Sequence, residues 1–166
     1  MSEKVYVVAA KRTAIGTFMG SLSSMKAVEL GSIAIKAALE QAKVNPKLVD
    51  EVIAGNVLSA GQGQGVGRQA AVHAGIPVET PAYTLNMICG SGMKAILNGV
   101  NSIKAGEADI VVAAGIESMS NAPHFIRHIR KGLKFGSGIY EDSIMADGLI
   151  DAYDKMAMGF CGEKTA

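Results

Sequence analysis

Only two cysteines, Cys89 and Cys161, occur in 166 residues, and they stand 72 positions apart. So few, so far apart, exclude a disulfide-stapled scaffold and suit a reducing compartment in which a thiol stays free to react. An excess of one charge is also missing, since 16 Lys and Arg against 15 Asp and Glu leave a formal net charge of +1. The chain as a whole is therefore no polyanion binder, and 49% hydrophobic residues exclude intrinsic disorder. No apolar run reaches the roughly 18 residues that a membrane-spanning helix needs. Met1-Ser2-Glu3-Lys4 opens without the apolar region of a signal peptide. The expected location is cytoplasmic. No set of His, Cys and acidic residues has metal-ligand spacing, so no metal is expected.

What is present is an alternation of strand-like and helix-like stretches, in a chain long enough for one domain with a real core. Residues 4–10 form a continuous apolar run of strand length, the kind that a sheet covered on both faces requires. Residues 25–43 read as a helix with Val28, Ile35, Leu39 and Ala42 along one stripe, ended by Asn45-Pro46. A second strand follows over residues 51–57. Residues 70–74 close a shorter helix before Pro77. A third strand spans residues 82–88, a helix residues 90–105, and a fourth strand residues 109–115. This β-α-β-α-β-α-β order predicts an α/β fold, a mainly parallel sheet with helices on both faces. Ligands of such sheets gather at the carboxyl ends of the strands.

Cys89 falls at such an end. The third strand delivers it onto Gly90-Ser91-Gly92, and a helical period begins at once: Met93, Ile96, Leu97, Val100 and Ile103 recur on one face, while Lys94, Asn98, Asn101 and Lys104 fill the other. A helix start presents unpaired N–H groups and the positive end of the helix dipole, which favour an anion. A thiolate is such an anion, and the flanking glycines leave room for a substrate. The position reads as a nucleophile for acyl transfer. A core cysteine packed after an apolar strand is the alternative that position alone leaves open.

The run Asn86-Met87-Ile88-Cys89-Gly90-Ser91-Gly92-Met93 resembles the active-site signature of the thiolases, the acetyl-CoA acetyltransferases. The likeness continues in order along the chain. Lys11-Arg12-Thr13-Ala14-Ile15-Gly16, Gly55-Asn56-Val57-Leu58 with Gly67-Arg68-Gln69-Ala70, Gly115-Ile116-Glu117-Ser118-Met119-Ser120, Asp147-Gly148-Leu149 and Met158-Gly159 are all similar to thiolase stretches. The resemblance implies that Cys89 attacks an acyl-CoA to form an acyl-cysteine. Condensation of two acetyl-CoA to acetoacetyl-CoA and CoA, or the reverse thiolysis, then follows without a redox or metal cofactor. It also implies a fold of two stacked halves in five layers and a homodimer or tetramer.

Every recognisable motif is similar to the N-terminal portion of that family. The family's Gly-His-Pro histidine and Cys-x-Gly second cysteine have no counterpart: His73, His124 and His128 have other neighbours, and Cys161 precedes Gly162-Glu163. The expectation is half an active site, truncated before the second half and inactive alone. A ketosynthase-like condensing enzyme, or an inactive assembly partner, stands as the alternative.

Periodicity fades after Met119, so a boundary is placed near residue 120. Residues 1–120 are the core segment with the nucleophile, and residues 121–166 begin what the resemblance implies is a loop domain for coenzyme A binding and oligomer contacts. Arg127, Arg130, Lys131 and Lys134 form a basic stretch there, read either as a solvated face or as attraction for a phosphorylated ligand. Four cations without interleaved aromatics are no nucleic-acid signature. Met158 resembles a substrate-binding position near the thioester, although Ala157 replaces a histidine common there. Gly65-Val66-Gly67-Arg68-Gln69-Ala70 imitates a dinucleotide fingerprint, but no strand precedes it closely and no acid follows at the needed distance. Its glycines are expected to let a loop approach the active site or a partner subunit. Glu117 is expected to be a buried, hydrogen-bonded structural carboxylate rather than a base.

Overall fold

Strand β1 (Glu51–Gly55) forms the centre of the sheet because four of its five residues are buried, which a strand achieves only with neighbours on both edges and cover on both faces. The computed structural model describes residues 4–166; the polar start at residues 1–3 lies outside them. Strand β2 (Ala82–Leu85) pairs in parallel with one edge of β1 and β3 (Val111–Gly115) with the other, so that Ile53 faces Tyr83 and Ala113 across the ladder.

The pleat sends alternate side chains of β1 to opposite faces. Val52 and Ala54 join the main core beneath α1 (Ala27–Ala42) and α2 (Val66–His73), with Val28, Ile35, Leu39, Val66, Ala70 and Ile116. Residues Glu51 and Gly55 turn to the other face, where α3 (Ser91–Lys104) lies: Ser102 donates to Glu51 at 3.0 Å, and Gly55 meets Ser91. Helix α1 begins where the Glu29 carboxylate accepts from the Lys26 N–H at 2.7 Å, and it ends on Lys43 in the left-handed region (φ 54°). Helices therefore flank a parallel sheet on both sides, as the alternation predicts.

Two expectations are corrected. Residues 4–10 form no strand; Tyr6, Val7 and Val8 are 72%, 82% and 69% exposed. An apolar run becomes a parallel strand only when an edge pairs it and two layers cover it, and among the described residues nothing does. The order accordingly opens on a helix. Second, the strand entering Cys89 ends at Leu85, and residues 86–90 are a turn. Within the glycine-rich stretch, Gly67 also serves packing. A Cβ on Gly67 would lie 2.6 Å from the Tyr83 carbonyl oxygen and 2.9 Å from Ala54 Cβ, so glycine is what lets α2 rest on the sheet.

The stripe that makes α3 read as a helix is its outward face. Met93, Ile96 and Leu97 are 62%, 45% and 48% exposed, whereas Ser91, Ala95 and Gly99 are buried toward the sheet. Small residues at a spacing of four bring the helix axis close to β1 and β3. Beyond β3 the chain is less regular: a two-residue antiparallel ladder joins β4 (His124–Phe125) to β5 (Glu141–Asp142), a wide turn spans Met145–Leu149, and α4 (Met158–Thr165) closes the described chain. Among the described residues no helix is long and apolar enough to cross a membrane.

Candidate active site

Cys89 is exposed and lies one residue before Gly90, which caps α3. The turn that presents it is unusual. Ile88, a β-branched residue, adopts φ 49°, a left-handed conformation that costs on the order of 1–2 kcal/mol without compensation. Compensation is visible on every side. The Ile88 N–H donates to Asn86 Oδ1 at 2.9 Å, while the Ile88 carbonyl accepts from Ser91 N at 3.0 Å and from Ser91 Oγ at 2.6 Å. Ser91 Oγ also accepts from Met87 N at 2.8 Å, and Gly90 N donates to the Met87 carbonyl at 3.1 Å. Ser91 is only 4% exposed, so its hydroxyl is fixed from beneath.

The start of α3 abuts the carboxyl ends of two strands. A Cβ on Gly55 would fall 2.5 Å from the Ser91 carbonyl carbon, and one on Gly115 would fall 3.3 Å from Gly92 Cα. Glycine at these strand ends sets the depth at which the helix, and with it Cys89, is seated. The geometry gives an exposed thiol on a strained elbow at a helix N-terminus, at the end of the sheet where ligands gather. Sequence reasoning singled out Cys89 and quoted Asn86 and Ser91 within its motif, yet missed what they do. The available signal is an Asn two residues before the Ile88 amide, the spacing of an Asx turn.

Glu117, just past β3, ties the strand ends together. One carboxylate oxygen accepts from Asn56 Nδ2 at 2.9 Å, and the other accepts from Val57 N at 2.9 Å and Leu58 N at 3.3 Å. It is hydrogen-bonded as expected but half-buried. Its partner Asn56 is 2% exposed and donates a second bond to the Ile116 carbonyl at 3.0 Å. Glu117 also lines a cleft of about 660 Å³ with Thr13, Thr17, Ser118, Met145 and Leu149, a cleft that does not include Cys89.

The other singled-out residues fall on α4, on α2 and in the basic stretch. Met158 is half-buried in the first turn of α4, and Cys161 lies on the same helix as a free thiol. His73 is exposed at the end of α2. In the basic stretch, Arg127 is neutralised by a bidentate pair with Glu141 at 2.6 and 3.0 Å, and its guanidinium lies 5.0 Å from the Phe125 ring centre. That hydrogen bond holds the Glu141 carboxyl below its ordinary range. Arg130 and Lys131 line a separate shallow cleft with His128 and Ile129.

Residues 5–166 match the family model described as the thiolase N-terminal domain. Over 159 residues the chain is 52% identical to the cytosolic acetyl-CoA acetyltransferase ERG10 of Gibberella zeae, covering 96% of this chain and 40% of that one. It is 53% identical to the acetyl-CoA acetyltransferase of Saccharomyces cerevisiae, covering 100% of this chain and 42% of the relative. The crystal structure of the Acat5 thiolase from Ascaris suum in complex with coenzyme A superposes with a TM-score of 0.91 at 40% identity, over 96% of this chain and 41% of that one. The chain thus spans about two-fifths of the length of these relatives.

Proposed function

From the premise that this chain belongs to the thiolase family, we propose that Cys89 is the acyl-accepting nucleophile of an acetyl-CoA acetyltransferase. The observation that carries this reading is the exposed thiol held on a strained elbow at the start of α3. The Cys89 thiolate attacks the thioester carbonyl of acetyl-CoA, and a new carbon–sulfur bond forms as charge moves onto the carbonyl oxygen. Collapse of this intermediate breaks the old carbon–sulfur bond. Coenzyme A leaves as thiolate and takes a proton, with the acetyl group left on Cys89. Helix-start amides, the Cys89 N–H among them, are assigned to the developing oxyanion, each donor contributing about 3 kcal/mol in comparable sites.

No metal or redox cofactor enters this scheme. The exposed cations Arg130, Lys131 and Lys134 are assigned to the phosphates of coenzyme A, and Met158 to its thioester end. Residues 121–166 would then act as the coenzyme A-binding loop segment beside a catalytic segment ending near residue 120. A cytosolic location and a homodimeric or tetrameric assembly complete the reading.

Repeated condensation also needs a base that regenerates the thiolate and a group that removes an α-proton from the second acetyl-CoA, whereas a single acetylation of an exposed thiolate needs neither. The 166 residues contain no Gly-His-Pro or Cys-x-Gly to supply them. This chain by itself is therefore expected to show no condensation or thiolysis turnover. The test of the nucleophile is acetyl transfer from acetyl-CoA to the protein, followed by peptide mass spectrometry. An acetyl adduct on Cys89 that Cys89→Ala removes is the expected result. An undiminished adduct in Cys89→Ala clears Cys89 of the role.

A further inference from the structure

We infer that Ser91 and Asn86 are positioning residues for Cys89, a two-sided clamp that fixes the elbow in its left-handed conformation. The inference rests on the reading of Cys89 as the reacting thiol and concerns what aims it. Of the four backbone polar groups on the two residues before Cys89, three are bound by side chains: the N–H of Met87 and the N–H and carbonyl of Ile88. The Ile88 carbonyl also accepts from Ser91 N, and the Met87 carbonyl accepts from Gly90 N. Ser91 Oγ accepts from Met87 N at 2.8 Å and donates to the Ile88 carbonyl at 2.6 Å. Asn86 Oδ1 accepts from Ile88 N at 2.9 Å.

The two residues act from different sides. Ser91 is buried within the first turn of α3, and Asn86 is exposed at the end of β2. Ile88 would leave φ 49° for a roomier conformation if either hold were released, because a β-branched residue gains nothing by staying. Rotation there swings the next residue, and the next residue is Cys89. The hydroxyl of Ser91 spends its one proton on the Ile88 carbonyl and accepts from Met87 N, so both bonds fall on the two residues before the thiol. Its contribution is geometric. An error of about 1 Å in a reacting atom costs about 100-fold in rate.

The experiment measures acetyl transfer from acetyl-CoA and alkylation by iodoacetamide, both at Cys89, with Cys161 as the internal reference. Ser91→Ala and Asn86→Ala are expected to slow Cys89 acetylation by about 10- to 100-fold at saturating acetyl-CoA, with KM changed by less than about twofold. Ser91→Thr and Asn86→Asp keep the bonding oxygens and are expected to restore most of the rate. Wild-type acetylation in both alanine variants overturns the clamp, as does a loss confined to KM. Should Ser91→Ala fail to fold, the exposed Asn86→Ala decides by the same criteria.

If the wild-type Cys89 accepts no acetyl group, the functional reading fails, and the clamp is still judged by iodoacetamide. Its release is expected to change the ratio of Cys89 to Cys161 alkylation at least about threefold, because the elbow no longer fixes the direction in which the Cys89 thiol is presented. An unchanged ratio overturns it.

Discussion

At Gly55 a hydrogen in place of a methyl group decides where the candidate nucleophile sits. A side chain there would stand 2.5 Å from the Ser91 carbonyl carbon and 2.7 Å from Gly92 N, both backbone atoms that can move only if α3 moves. Gly55→Ala is therefore expected to destabilise the fold by about 1–3 kcal/mol, measured by urea unfolding. Alkylation of Cys89 should change along with it. A variant within about 0.5 kcal/mol of wild type would show that the helix seat is soft. At this scale the sequence was legible where chemistry and position coincide. Cys89 stood out because its place after an apolar strand and before a helical period, which alone leaves core packing open, coincides with a motif that resembles the thiolase signature. Ile88 did not stand out, since nothing in a β-branched residue announces a positive φ; only the side chains that trap it do. Gly67 was visible as a glycine, but its purpose was hidden, because the Tyr83 carbonyl that it must clear lies 16 positions away.

Between elements, the sheet is held at both ends by carboxylates that accept backbone hydrogen bonds. At one end Glu117 serves Asn56, Val57 and Leu58. Glu117→Ala leaves those three donors unpaired and is expected to cost about 2–3 kcal/mol, whereas Glu117→Gln keeps one acceptor and should cost less. Equal losses in the two variants, read from thermal or chemical unfolding, would mean that packing rather than hydrogen bonding is at stake. At the other end Asp50 Oδ2 accepts from Asp109 N at 2.8 Å and Ile110 N at 2.9 Å. These backbone bonds, that from Ile110 first, hold the Asp50 carboxyl below its ordinary value of 3.8. A carboxyl lowered on folding contributes its stabilisation in full above that ordinary value, and loses it as pH falls through the lower folded one. The stability of Asp50→Asn should accordingly depend less on pH below about pH 4 than that of the wild type. Parallel acid limbs in the two proteins would contradict the assignment. Helices α1, α2 and α3 and strands β1 to β3 were legible to within a few residues from period and punctuation. The segment over residues 4–10 was not, because its apolar run reports that it is fit for burial and says nothing of which edge pairs it.

For the molecule as a whole, surface is the telling quantity. The chain exposes 11211 Å², against the roughly 7,800 Å² expected of a compact monomer of 17.2 kDa. Exposed large apolar side chains contribute to it, among them the outward stripe of α3 and Tyr6, Val7 and Val8 in the extended run. A soluble monomer rarely leaves contiguous apolar patches of more than a few hundred Å² uncovered. The α3 stripe explains a discrepancy between the sequence and the fold seen here. Its Met93, Ile96 and Leu97 have the pattern of a helix that buries two faces, one on the sheet through Ser91, Ala95 and Gly99 and the other on something else. A further layer packed on α3 would account for that second face. In isolation this chain is expected to associate, and sedimentation at micromolar concentration should show species well above 17.2 kDa. Met93→Gln with Leu97→Gln should reduce that association while leaving the unfolding midpoint nearly unchanged, because neither side chain is packed in the core. A monodisperse 17.2 kDa species in the unmodified chain would mean that the stripe is covered by a rearrangement within the chain, and the two-faced reading of α3 would fall with it.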